Sequence, residues 1–210
     1  IREDGRYLLT ISLNGQVSCT YDVYASVNIK SSSFFNLLFE ITPPFLDLSR
    51  LPAPFYLETS IIPDSMRVVV PDEPNAQELQ TAINVMAGLG SEISDIYDID
   101  LVNVGSLTNE DLTKHHLIFV GEPGGFNILS QAKFPLIVEN GELKDLPVNS
   151  VNDGILQLAL SPWNPNKALM MVTGNSSDAV VKAGHAINSG NVLTYDNPQL
   201  VYVSDAQLQL

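Results

Sequence analysis

The sequence predicts an α/β domain with a mostly parallel sheet, helices on both faces, and a short β segment in front of it. Three observations predict this. The runs "MRVVV" (66–70), "HLIFV" (116–120) and "ALMMV" (168–172) are short and apolar on both faces, as strands buried inside a parallel sheet are. A capped helix signature lies between the first two runs. Residues 1 to about 42 have a different grammar, rich in β-branched and aromatic side chains.

Taken in order, "RYLLTISLNGQVSCTYDVY" sets Asn14-Gly15 between two strand-like runs, a strong short hairpin signal. "SSFFNLLFEI" continues in the same style. "TPPFLDLSRLPAPF" (42–55) holds four prolines in fourteen residues, which suits neither a ladder nor a helix interior and reads as an extended linker or crossover. After the strand at 66, "NAQELQTAINVMAGLG" (75–90) predicts a helix. Asn75 is its N-cap, Glu78 completes a capping box, and Gly88 or Gly90 ends it. Ala76, Leu79, Ala82, Ile83, Met86 and Leu89 form the expected inner face. "IDLVNV" (99–104) reads as a second strand, and Thr108 caps a short helix. "EPGGFNILSQ" follows the strand at 116 as a loop and short helix. Asn140-Gly141 marks a hairpin or a protruding loop.

"GILQLALSPWN" (154–164) and "KALMMVTG" (167–174) are strands joined through "PWNP". Strands so close in sequence must pair antiparallel, because a parallel return needs a dozen or more residues. Ser176 or Ser177 then caps a helix with Ala179, Val180, Ala183 and Ile187 facing inward, and "LVYVSD" (200–205) is a last strand. Val68, Val70, Ile118, Val120, Leu169 and Met171 are the expected core.

The totals narrow the function. Ten Lys and Arg stand against 24 Asp and Glu, a net charge of −14. Nucleic-acid backbones and anionic membrane surfaces are recognised by basic residues, so the charge balance disfavours both as partners. A single cysteine, Cys19, and three histidines give no zinc-ligand spacing and no disulfide. The chain opens at Ile1 inside a strand-like run, so it is expected to be a piece of something longer.

No residue set in the sequence predicts catalysis, a cofactor or a metal. "VGEPGG" (120–125) follows a strand but matches no phosphate-binding fingerprint, and "VTGNSSD" (172–178) reads as an ordinary N-cap. His115 and His116 open a strand and point to opposite faces. Ser176 or Ser177 with His185 and an Asp could be assembled only on paper. The acids Glu92, Asp95, Asp98 and Asp100 lack the glycine turn and distal Glu of a calcium loop. Trp163, Tyr97 and Phe126, with Tyr56, could offer flat faces to a sugar or could pack inward. For Trp163, the flanking Pro162 and Pro165 favour an architectural turn.

With that order of elements, the chain resembles the regulatory B subunit family of bacterial cellulose synthases. "DLSRLPAPF", "MRVVVPDEPNAQELQTAINVMAGLG", "HHLIFVGEP" and "GILQLALSPWNPNKALMMVTGNSSDAVVKAGHAI" carry the resemblance, the last most specifically. It implies a flavodoxin-like domain over 60–210 and, over 1–50, the terminal strands of a jelly-roll-like β-sandwich domain with its linker. It further implies a non-catalytic extracytoplasmic subunit in cellulose biosynthesis, acting as scaffold and glycan contact during export. The partner would be the catalytic subunit and glucan, with membrane attachment only through flanking segments. The family is also labelled as binding cyclic-di-GMP. The alternative reading is a nucleotide- or flavin-binding regulatory α/β domain. Against it, the loop after the first strand, "PDEPNA", carries two acids, and the four arginines, Arg2, Arg6, Arg50 and Arg67, form no cluster.

Overall fold

The structure, a computed structural model, describes residues 30, 32, 34, 41–57, 65–93, 98–147, 150–190, 192 and 198–205. The chain divides into two units, residues 1–41 and 42–210. The Asn14-Gly15 hairpin and the sandwich strands expected before residue 41 lie outside the described residues.

In the second unit, the elements are β1 (Ser65–Val70), α1 (Ala76–Ser91), β2 (Asp98–Asn103), α2 (Asn109–Lys114), β3 (His116–Val120), β4 (Val138–Glu139), β5 (Glu142–Leu143), β6 (Gly154–Leu160), β7 (Ala168–Thr173), α3 (Ser177–Asn188) and β8 (Leu200–Val203). Six strands form one sheet in the order β2-β1-β3-β7-β6-β8. β2, β1, β3 and β7 pair in parallel, and β6 runs antiparallel to both β7 and β8. The sheet is therefore parallel apart from one inserted strand. The expected α/β class with a flavodoxin-like, mostly parallel sheet is what the structure has.

Side chains of the central strands alternate between two buried layers. Met66, Val68, Val70, Ile118, Val120, Met170 and Val172 meet α1 and α3 on one face. Val69, Leu117, Phe119, Leu169 and Met171 meet Leu112 of α2 and Leu129 of a 3-10 turn (Asn127–Gln131) on the other. All six residues expected in the core are at most 1% exposed. Because α1 and α3 share a face while β1–α1–β2 and β7–α3–β8 cross the sheet in opposite directions, these two crossovers have opposite hands. Parallel crossovers are almost always right-handed. Here α3 packs on β6 and β7 beside α1.

Two sequence expectations change. The proline-rich stretch is not a spacer: Asp47 caps a 3-10 turn at Leu48–Arg50, and Leu48 and Phe55 are fully buried in the α1–α3 core. The Leu48 amide also donates to Pro198 O at 2.8 Å. Helix α1 keeps its predicted capping box but runs through both glycines to Ser91. Its inner face is Glu78, Thr81, Ala82, Val85, Gly88 and Leu89, whereas Leu79 and Ile83 are 40% and 48% exposed. The rotation follows from Gly88 and Thr81, where the helix packs on α3. A Cβ on Gly88 would lie 2.8 Å from Asn188 Cα, and one on Gly184 would lie 2.2 Å from Thr81 Cγ2.

Candidate functional site

An open parallel sheet offers its ligand crevice at the carboxyl ends of the strands, where neighbouring connections leave in opposite directions. That point lies between β1, whose connection leads to the β2 edge, and β3, whose connection leads towards β7. The loops 71–75 and 121–126 and the N-terminus of α1 meet there.

Glu78 fills the meeting point. It is the third residue of α1, is 5% exposed, and its two oxygens accept from the Asn75 amide at 2.9 Å and the Glu122 amide at 3.0 Å. The Asn75 side chain accepts from the Glu78 amide in return, at 2.9 Å. Amides at a helix N-terminus and strand-end loop are the groups that would cradle a phosphate. A carboxylate of the chain already sits on them.

The surroundings are braced in the same way. Ser177 Oγ donates to Glu122 Oε1 at 2.8 Å and accepts from Asn75 Nδ2 at 3.1 Å, which ties the start of α3 to the start of α1. Asp72 Oδ1 accepts from the Gly105 amide at 2.7 Å, holding the loop after β2. Gly121 has φ +151°, and a Cβ there would meet Glu78 Oε1 at 2.9 Å. The β4–β5 hairpin turns through Asn140 and Gly141, both at positive φ, as a tight Asn-Gly turn requires. It is clamped by Asn175, which accepts from the Leu143 amide and donates to its carbonyl. An arriving flavin or cyclic-di-GMP phosphate would meet Asp72, Glu78 and Glu122 with no arginine or lysine among the crevice contacts described.

The aromatic candidates separate. Phe126 is 3% exposed and packs edge-on against Phe119 at 5.3 Å. This corrects its place among the glycan contacts, because a buried ring presents no face to a sugar. Trp163 is half-buried at the β6–β7 turn against the layer built by Leu117, Leu169 and Met171. Ser161 Oγ accepts from the Trp163 and Asn164 amides, and Asn164 Nδ2 donates to Thr113 O at 2.7 Å, fastening the turn to α2. Tyr97 lies outside the described residues, and Tyr56 is half-buried. Ser177 and His185 are eight residues apart on α3, about 12 Å along its axis, so no triad forms there. Among the described residues no group of three His, Cys, Asp or Glu could hold a metal.

One cluster was not foreseen. At the amino ends of β1, β2 and β3, Ser65 Oγ and His115 Nδ1 share a short hydrogen bond. Arg67 bridges Asp98 at 3.1 Å and Asp111 at 3.6 Å. Burial, and then the Arg67 charge, push the His115 imidazole below its usual range, against the pull of Asp111 and Asp98. The Thr108 hydroxyl holds the Asp111 carboxyl low, with help from the Thr108 amide and the charges of His115 and Arg67, against burial. His115 Nε2 stands 3.8 Å from Asp111, beyond a hydrogen bond, and Arg67 shares that carboxylate. The set fastens three strand ends rather than activating Ser65. Only strand register brings Ser65 to His115 (Met66 pairs with His116), so spacing in the sequence gave no signal.

A sequence profile described as "Cellulose synthase BcsB, first FD domain" matches residues 47–202, from the buried 3-10 turn to the last strand. The chain belongs to the BcsB family. No curated protein matches it. BcsB is an accessory subunit of cellulose synthase, and residues 47–202 are its first FD domain. The α/β unit described above is thus the FD domain of this BcsB chain. No helix among its described residues is long and apolar enough to cross a membrane.

Proposed function

We propose that this BcsB domain is a non-catalytic scaffold outside the cytoplasmic membrane, held against the catalytic subunit of the synthase and touching the glucan as it is exported. The observation that carries the reading is Glu78. The place where an α/β domain would hold a cofactor phosphate is occupied by the chain's own carboxylate, bonded to the Asn75 and Glu122 amides. A domain whose crevice is braced from within supplies surface and rigidity rather than chemistry. Membrane attachment belongs to flanking segments. Glucan contact falls to the open part of Trp163 and to Tyr97.

Calorimetry with FMN and cyclic-di-GMP, beside a titration with cello-oligosaccharides followed by the fluorescence of the only tryptophan, tests the reading. A saturable response to the oligosaccharide with no heat from either nucleotide is expected. Micromolar binding of a nucleotide would replace the scaffold with a regulatory nucleotide-binding domain.

A further inference from the structure

Helices α1 and α3 lie side by side and parallel: Asn75 meets Ser177 at their starts, and Gly88 meets Asn188 at their ends. Their negative dipole ends are therefore adjacent. Helix ends of this kind ordinarily carry lysine or arginine. Helix α1 has no basic residue in its last turn and is capped by Glu92, and α3 has only His185. Between the two ends and the 48–52 segment opens a cavity of about 320 Å3.

Polar side chains line one side of it. Glu92, Asn188, Ser49, Ser91 and Ser189 line this side, with no lysine or arginine among the described lining residues. Ser91 Oγ donates to Gly88 O and Ser189 Oγ donates to Ala186 O, so each spends its proton inward and leaves its lone pairs for a guest. Leu51, Pro52 and Val192 supply an apolar wall. A carboxylate beside two negative helix ends is unfavourable as it stands, and a cation relieves it. The volume far exceeds a bare metal ion, and hard cations seek more carboxylate than Glu92 alone provides.

We propose that this cavity binds a small organic ammonium that carries hydroxyl groups, with its charge against Glu92 and the helix ends and its C–H face on Leu51 and Pro52. An amino sugar has that chemistry. The site is separate from Trp163 and does not depend on the glucan reading.

The test is an NMR titration of the 210-residue chain at pH 6.5 with glucosamine, and with glucose as the uncharged counterpart. Glucosamine should give saturable shifts at the amides of Ser91, Glu92, Ser189 and Gly190. Glucose should bind at least about tenfold more weakly, and Glu92→Gln should weaken glucosamine about fivefold, the effect of one charge at a helix end. Equal binding of the two sugars, an unchanged affinity in Glu92→Gln, shifts that map elsewhere, or no saturation at tens of millimolar would each overturn the proposal.

Discussion

The Glu78 carboxylate stands 3.0 Å from the Glu122 amide, so a residue in the first turn of α1 takes the strand-end amide that follows β3. The same carboxylate takes the Asn75 amide with its other oxygen. One side chain thus closes a capping box and joins two loops of the crevice.

In Glu78→Gln, one oxygen can still accept, but the amide nitrogen must face a second N–H donor. We expect a loss of about 1–3 kcal/mol, the cost of a buried donor left unpaired. Urea denaturation measures it. A loss indistinguishable from zero would mean that the crevice is not braced through this residue.

Gly88 and Gly90 are two residues apart on α1 and should respond with opposite signs to alanine. A Cβ on Gly88 meets backbone of α3, while one on Gly90 meets nothing within 4 Å. Gly88→Ala should cost about 1–3 kcal/mol through overpacking, despite the better helix propensity of alanine. Gly90→Ala should stabilise by about 0.5 kcal/mol. Thermal melts of the two variants side by side settle the comparison.

Trp163→Ala removes a half-buried ring, so the expected loss is below that of a fully buried tryptophan, about 1–3 kcal/mol. Melting of the variant should be read beside a cello-oligosaccharide titration. An unchanged melting point with lost binding would make the ring a sugar platform and not part of the turn.

His115 gives a pH dependence with a definite sign. Its folded-state pKa lies below the unfolded value of 6.5, so between the two the unfolded chain binds more protons. The contribution is complete above pH 6.5 and is lost as pH falls towards the folded-state value. Asp111, also lowered, adds a loss of the same sign at more acidic pH, below its ordinary 3.8. Stability measured from pH 7.5 to 5 should decline in the parent chain, and the decline should shrink in His115→Gln. An equal slope in both would assign it to other groups.

Local chemistry made much of this fold legible. The capping boxes at Asn75 and Thr108, the Asn140-Gly141 turn and the short β6–β7 connection are all signalled within a few residues. What stayed hidden depends on partners distant in the chain. Gly88 reads as a helix stop until α3 is seen against it, and Leu79 and Ile83 read as inward because the apolar pattern does not show that Thr81 and Gly88 face α3. Leu48 and Phe55 look like linker residues because prolines surround them, yet they are core. Glu78 was legible as a cap, but its second partner, Glu122, lies beyond any local window. The Ser65–His115 contact exists only through strand register.

The inserted strand β6 has a kinetic consequence. It and β7 are separated by a short turn, whereas β1–β3 and β3–β7 pair segments about fifty residues apart. Pairings distant in sequence carry the larger loop-closure cost and form late. The β6–β7 hairpin, with its Ser161–Trp163–Asn164 turn, is therefore expected to form before the rest of the sheet, which φ-values from refolding kinetics would check. Its variants should slow refolding more than they speed unfolding, while substitutions at β1 should do the reverse.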